Sequence, residues 1–366
     1  MKGKIQFLRS LILSKKTNRK IIVIESDDWG SERIPNGSAR SILLSKGVDM
    51  DTNPHAKYDT LERIEDLVVL ERLLKDIEKI THKKVKITTN FITANPHFEK
   101  IKESNFESYF YEIFVQTYQR RDKNTKVLDY ILKLKETGYI KPQFHGREHI
   151  NALLWLNELK KGNPDFIAAF ELNTYAIDAN NGNKTRNNLM SALEFENTEQ
   201  KQFVIASIIE GHQIFKNIFN YPSKTFIAPR YVWSPSIEKT FERCGFSHVQ
   251  TSLFQKNPTQ KGYQSIFHYT GQKSYNANLR YLTRNVFFEP AYGGEAWVTN
   301  ALSKVNLAFR FKTPAIISMH RINFVGGLDS VARDRHLDQF KKLIELIINK
   351  HPEVEFLSSD ELAEIV

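Results

Sequence analysis

The chain has 366 residues, 41% of them hydrophobic, and its 52 basic and 42 acidic residues give a formal net charge of +10. That composition is enough to fill a large core and excludes a disordered or fibrous protein. The single cysteine, Cys244, excludes an intrachain disulfide, and no apolar run reaches the roughly 18 residues that a membrane-spanning helix needs.

The first twenty positions carry seven basic residues, and the first acid is Glu25. Ile5, Leu8, Leu11 and Ile12 share one helical face, with Lys2, Lys4, Arg9 and Lys16 nearby. The apolar part is short, is broken by Arg9 and is followed by no small-residue cleavage site, so residues 1–19 read as a retained basic segment and not as a signal peptide. Two roles are open: a helix closing the bottom of the domain with its basic side in water, or a peripheral contact with an anionic membrane surface. No nucleic-acid module accompanies the charge, so nucleic acid is not an expected partner. The expected location is cytoplasmic, or membrane-peripheral.

Beyond this segment, short apolar runs alternate with helical patterns. Residues 21–24 predict a buried strand ending at Ser26-Asp27-Asp28-Trp29-Gly30. Residues 61–80 predict an amphipathic helix, 85–92 a strand and 109–136 a helical segment. A strand near Gln143 leads into His145-Gly146-Arg147-Glu148-His149. An insert at about 151–195 follows, with a turn predicted at 180–183. Then come a helix at 198–219, a strand at 225–228 ending in Pro229-Arg230, a helix at 236–244 and a strand at 248–252. A second insert at about 253–300 carries a strand at 286–288. A strand at 314–319 ends at His320, and a helix at 337–350 and a strand at 354–357 close the chain. Strands separated by helices imply parallel pairing with right-handed crossovers. Seven or eight of them predict one distorted (β/α)7–8 barrel over residues 20–366, with its chemistry at the carboxyl ends of the strands.

Candidate site residues fall at those ends. Asp27 and Asp28 repel each other unless a cation or hydrogen bonds compensate. One can ligate a metal while the other stays free as a base, although such a strand end is also an ordinary turn. His145 and His149 can reach one metal from a helix face or a tight turn, with a carboxylate as third ligand. Arg230 could hold the free aspartate ionised, or be a surface arginine. His320 suits a site residue or a satisfied buried imidazole. Of Trp29, Tyr231, Trp233, Tyr292 and Trp297, two or three are expected to line a sugar site and the rest to be core.

This set resembles the polysaccharide-deacetylase family, also called the NodB-homology domain or carbohydrate esterase family four. Its first motif, usually Thr-Phe-Asp-Asp-Gly, is similar to Ser26-Asp27-Asp28-Trp29-Gly30 with its preceding Glu25. Its second, His-Ser/Thr-x-x-His, is similar to residues 145–149. Its third loosely resembles Ala228-Pro229-Arg230-Tyr231, and its fifth resembles Ile317-Ser318-Met319-His320. The resemblance implies the family's distorted barrel, with Asp27 as catalytic base, Asp28, His145 and His149 as metal ligands, Arg230 as the partner of Asp27, and His320 as catalytic acid. Trp29 before the motif's glycine and Gly146 in place of a hydroxyl residue mark a divergent branch; only Glu289 or Gln250 could stand in for the fourth motif.

The resemblance further implies one divalent ion, Zn2+ by its ligands, and removal of an N-acetyl group from an amino sugar in a polysaccharide, oligosaccharide or carrier-linked sugar. The ion would polarise the acetyl oxygen and a water, Asp27 would take a proton and His320 would return one to the leaving amine. The backbone N–H of Tyr231 would help to hold the oxyanion. His145-x-x-Glu148-His149 also fits an inverted zincin peptidase, but Pro142 and Gly146 disfavour the helix that motif needs. Another amide or ester hydrolase, and a non-catalytic saccharide-binding barrel, stay open.

Overall fold

The computed structural model describes residues 2–177 and 189–366, so the turn expected at 180–183 lies outside the described residues. The strands of the main sheet are, in chain order, β1 (Ile21–Trp29), β2 (Ile87–Ile92), β3 (Ile140–Gly146), β4 (Thr225–Ile227), β5 (His248–Thr251), β6 (Arg280–Thr283), β7 (Val286–Phe287), β8 (Ala315–His320) and β9 (Glu355–Leu357). Their spatial order is β6-β5-β4-β3-β2-β1-β8-β7, with β9 beside the first residues of β1. All these pairings are parallel. The edges β6 and β7 are separated by only Arg284 and Asn285. Arg284 N–H donates to Thr251 O at 2.8 Å, and Asn285 N–H to Ile316 O at 3.2 Å. The sheet therefore curls until its two edges meet at this junction, which gives a distorted (β/α) barrel.

The alternation of β1 explains what fills it. Ile22 and Ile24 face the outer helices and belong to the main core, whereas Ile21 and Val23 pack with Leu282, Ile316 and Leu362 in the barrel's floor. Glu25 and Asp27 follow on that inner side, so the barrel is apolar below and polar above. The floor is plugged by the C-terminal helix Ser359–Ala363, whose Ser359 hydroxyl donates to Glu25 at 2.6 Å. The outer helices bury residues at helical spacing: Leu67, Leu70, Leu74 and Ile77 in Ile64–Thr81, and Leu337, Phe340, Ile344 and Ile347 in Ser330–Lys350.

Several elements differ from expectation. Residues 109–136 are not one helical segment. Tyr111–Ile113 pairs antiparallel with Ala94–Pro96, and the helices Phe114–Arg121 and Val127–Glu136 are separated at Asp122–Lys126, a polar stretch where Asp122 makes local turn bonds. The last long helix begins at Ser330 because Asp329 caps it, accepting from Ala332 N–H at 2.8 Å. The first helix, Lys2–Leu13, divides its apolar residues between core and surface. Leu11 is buried and Phe7 packs on the core, while Ile5, Leu8 and Ile12 point outward and are exposed. The insert after His149 folds as two helices, Ala152–Lys160 and Pro164–Glu171, around a satellite core that includes Ile34, Met50, Phe98 and Trp155. The second insert holds the hairpin Phe254–Thr259/Gly262–Phe267 and the unanticipated strand β6.

Gly211, inside the helix Thr198–Phe219, abuts the backbone of Arg147 between the two site histidines; a Cβ there would lie 2.8 Å from Arg147 Cβ and 2.9 Å from its Cα. Alanine in place of a mid-helix glycine ordinarily stabilises by about 1 kcal/mol. Here we expect the opposite sign, so Gly211→Ala should lower the denaturation midpoint. An unchanged or raised midpoint would show that the helix can shift away from residues 145–149.

Candidate functional site

The adjacent aspartates reach one cluster of polar side chains through a bulge. Between Ser26 and Trp29, β1 advances three residues against two on β2, and Asp28 adopts φ 75°. That left-handed residue turns the Asp28 side chain away from the strict alternation of the strand, beside Asp27. Trp29 is not at the site. It is buried between Phe91 and Phe324, with its indole N–H donating to Ser26 at 2.9 Å.

His145 and His149 flank the turn after β3. Gly146 between them has φ 122°, a conformation that a residue with a side chain rarely adopts, which accounts for glycine where a hydroxyl residue was expected. Residues 147–150 are not helical, so the inverted zincin geometry is absent and Glu148 is instead bound by Arg147 at 2.5 and 3.1 Å. His145 Nδ1 donates to Ile227 O at 2.9 Å, which leaves the Nε2 lone pair facing Asp28. Asp28 Oδ1 lies 3.1 Å from His149 Nε2 and 3.4 Å from His145 Nε2. Neither is an aligned hydrogen bond; Oδ1 is buried without a hydrogen-bond partner.

The aspartate beside it is held differently. Arg284 Nη1 and Nη2 each donate to Asp27 at 2.6 Å, its Nε donates to Glu25 at 2.6 Å, and Asn90 adds a bond to Asp27 Oδ1 at 2.8 Å. Burial opposes ionisation of Asp27, but the Arg284 guanidinium outweighs it and holds the carboxyl at about 2. Arg230, expected in this role, is exposed, because the turn at Pro229–Tyr231 places it outward at φ 60°. The Tyr231 N–H donates to Ala228 O at 3.0 Å, so it is already engaged and is not a free oxyanion donor. The tyrosine hydroxyl faces inward instead, 2.9 Å from Arg284 Nη1.

His320 pairs in register with Asp27 across β1 and β8, and its Nε2 is 3.9 Å from Asp27 Oδ2. Glu289 grips it from behind: one carboxylate oxygen accepts His320 Nδ1–H at 2.8 Å and the other the backbone N–H at 2.7 Å. Burial alone would lower the imidazole, but Glu289 outweighs it and raises His320 to about 9. Gln250 is one step back, exchanging bonds with Asn90 at 2.8 and 3.1 Å.

Three groups converge here with no counterpart in the sequence reading. Arg33 Nη2 lies 2.8 Å from Asp28 Oδ2 and its Nε 3.5 Å from Asp59. Arg321 ties Asp59 to Glu62 at 2.8 and 2.7 Å. His55 Nδ1 lies 3.8 Å from Asp28 Oδ2, and its Nε2 is 3.1 Å from the Tyr292 hydroxyl. Of the five aromatics, Tyr231 and Tyr292 border the site. Trp233 is buried and bonded to Glu238, and Trp297 donates to Gly293 O of the preceding turn at 2.7 Å.

The donor set fits a divalent cation. Asp28, His145 and His149 offer ligand atoms within 4.8 Å of one another, all on buried residues. The linked buried groups comprise six carboxyls (Glu25, Asp27, Asp28, Asp59, Glu62, Glu289) and three guanidiniums, Arg33, Arg284 and Arg321. With His320 charged, four positive groups stand among these six carboxyls. Burial pushes Glu25 and Asp59 up even beside their arginines. A buried carboxylate such as Asp28, with Oδ1 lacking a hydrogen-bond partner, is one that a divalent ion relieves.

The model of Glycosyl hydrolase family 57 matches residues 58–315. No curated protein matches. Among solved structures, the 4-alpha-glucanotransferase of Thermococcus litoralis is 9% identical with a TM-score of 0.43, over 94% of this chain and 40% of that one. This chain therefore spans less than half of the glucanotransferase. A polysaccharide deacetylase from Pseudomonas aeruginosa PAO1 is 8% identical with a TM-score of 0.44, over 95% and 91% of the two chains. A glycoside hydrolase/deacetylase from Parabacteroides distasonis is 10% identical with a TM-score of 0.48, over 96% and 72%.

The raised His320 implies a measurable titration in the metal-free protein. Its contribution to stability is fully present below the ordinary 6.5 and is lost as the pH rises through about 9. In Glu289→Gln we expect the imidazole to titrate lower by about one unit or more, as followed by NMR of the ring protons. An unchanged midpoint would remove Glu289 as the cause.

Proposed function

The chain belongs to glycosyl hydrolase family 57, a family of carbohydrate-active hydrolases, and from that premise and the site's residues we propose that it is a metal-dependent deacetylase acting on an N-acetylated saccharide. The observation that carries this reading is the meeting of Asp28, His145 and His149 beside the pair Asp27 and His320. Asp28, His145 and His149 would hold the ion, which is Zn2+ by the preference of nitrogen-rich sites with one carboxylate. When bound, it supplies Lewis acidity to an acyl oxygen and acidifies water, which matters here because a carboxyl held at about 2 is a weak base.

In this reading Asp27 accepts the proton of the attacking water, with Arg284 and Asn90 fixing the direction of its oxygens. His320, kept protonated by Glu289, donates to the leaving amine. The two stand on adjacent parallel strands at one register position, so their spacing is set by the sheet and not by a loop. Tyr231, Tyr292 and the neutral imidazole of His55 border the space where a sugar would lie; burial and the nearby Arg33 charge lower His55 well below the ordinary histidine range.

A second reading, cleavage of a glycosidic bond, is favoured by the family membership. That chemistry needs two carboxyls, one of them protonated at neutral pH. Here Asp27 is clamped ionised by Arg284, Asp28 lies against Arg33, and Glu289 is bonded to His320. No carboxyl among these three is left to act as the acid, and the proton donor with the required affinity is an imidazole. These commitments favour amide hydrolysis.

The first helix supports a peripheral contact with anionic lipid. Ile5 and Ile12 are about 60% exposed on its outer ridge, beside Arg9 and close to Lys4 and Lys16. Among the described residues no helix is long and apolar enough to cross a membrane. We expect weak binding to vesicles of anionic lipid that fades as salt shortens the screening length, about 10 Å at 0.1 M. The double variant Ile5→Ser/Ile12→Ser should lose it. Equal binding to neutral vesicles, or an unaffected variant, would exclude this role.

For catalysis, Asp27→Asn and His320→Ala should each retain zinc by elemental analysis yet lose about 10²–10⁴-fold in acetate release. The substrate set for this assay is a panel of N-acetylated saccharides, with reducing-end formation measured in parallel. Reducing ends without acetate would replace the deacetylase with the glycosidase reading. Full acetate release in either variant would reject the role assigned to that residue.

A further inference from the structure

Asp28 belongs to two groups of metal-ligating side chains. One is Asp28, His145 and His149; the other is Asp28, His55 and His320, and in each the ligand atoms lie within 4.8 Å of one another. The carboxylate divides its oxygens between them. Oδ1 faces His149 and His145, at 3.1 and 3.4 Å. Oδ2 faces His55 Nδ1, at 3.8 Å, which is itself buried and without a hydrogen-bond partner. Two cations bridged by one carboxylate are a familiar way to build a two-metal site. His320, whose Nδ1–H is held by Glu289, would have to release its Nε2 proton to ligate, as any imidazole ligand must.

What opposes it is Arg33. Its Nη2 lies 2.8 Å from Asp28 Oδ2, on the oxygen that the second group needs. The guanidinium is fully enclosed, and it is anchored from behind by Asp59, which Arg321 holds at 2.8 and 3.1 Å. A cation ligated by Oδ2 would sit close to this fixed positive charge, and like charges in a buried site repel strongly. The repulsion acts on one oxygen only, so the His145 and His149 side stays open.

We propose that Asp28, His55 and His320 form a second position for a divalent transition-metal ion, which Arg33 keeps closed so that the centre takes one ion. The inference rests on the metal reading above. Arg33 is in this respect a positioning residue: it holds Asp28 to ligation through one oxygen and leaves His55 and His320 free to face substrate. The consequence is a centre whose stoichiometry is set by a residue outside both ligand sets.

The experiment counts ions per chain by elemental analysis after equilibrium dialysis of the purified protein against Zn2+, and repeats the count with Co2+ by visible absorption. We expect one ion in the wild type, one in Arg33→Lys, two in Arg33→Met, and one again in Arg33→Met/His55→Ala. Because Arg33→Met removes a partner of Asp59 and could unfold the chain, His55→Ala alone provides a second measurement. It should bind its one ion with unchanged affinity, since His55 is not a ligand while Arg33 is present. Two ions in the wild type, one in folded Arg33→Met, or tenfold weaker zinc binding in His55→Ala would each overturn the proposal. Retention of the ion in His145→Ala/His149→Ala would instead overturn the metal assignment on which it rests.

Discussion

The structure depends on one buried guanidinium. Arg284 occupies the two-residue junction where the edges of the curled sheet meet, and it reaches into the barrel to Glu25 and Asp27 of β1, Ser318 of β8 and the Tyr231 hydroxyl. Glu25 and Asp27 are two residues apart on one strand face, so their carboxylates would repel across a dry interior. The guanidinium compensates both with directed bonds, and its five donors suit that task where a lysine's point charge would not. Breaking such a buried pair by removing one partner costs about 3–5 kcal/mol. The residue at the junction of the sheet's two edges is thus also the one that holds Asp27 ionised.

A second chain of alternating charge runs behind the ligands: Asp28, Arg33, Asp59, Arg321 and Glu62, each next to a group of opposite sign. It ends on backbone, because Glu62 accepts the Gly30 N–H at 2.9 Å. The strained Asp28, at φ 75°, is thus gripped through its side chain by Arg33 and through the following turn by Glu62. Non-glycine residues persist in that conformation only where the surroundings over-determine them. The bulge of β1, which lets two successive side chains enter one polar cluster, is held in place by this chain.

The legible part of the fold was its periodicity. Helix Thr198–Phe219 and the strands from Ile87, His248 and Ala315 stand where apolar spacing puts them, and Asp27, Asp28, His145 and His320 lie at strand ends, with His149 on the turn that follows one. Arg284 was not legible, because the strand before it is four residues long and lies within a stretch that reads as an insert. An isolated arginine looks like surface, and only its distant partners make its burial tolerable. Arg230 was the natural candidate by position, yet Arg230 and Tyr231 both take left-handed conformations, and that turn exchanges which of them faces inward. His55 sits on the short helix Pro54–Tyr58 in a polar segment without periodicity, so no pattern marks it. The tryptophans misled in the other direction: Trp29 and Trp233 lie beside strand ends but pack into the core, each with its N–H bonded within the fold.

The division of labour among these groups bears on how a hydrolase site can change its chemistry while keeping its scaffold. Carboxyl-pair catalysis requires one acid with a raised proton affinity and one ionised partner. Among the described residues Asp27 and Asp28 are paired with arginines and Glu289 with an imidazole, and the raised proton affinity lies on His320. Asp28 is left with one oxygen on Arg33 and the other facing two imidazoles, a donor arrangement that suits a divalent ion. Substituting the arginines would therefore change more than local packing. Removing Arg33 or Arg284 would leave Asp28 or Asp27 buried without its paired cation, so each arginine sets the charge that its aspartate can carry.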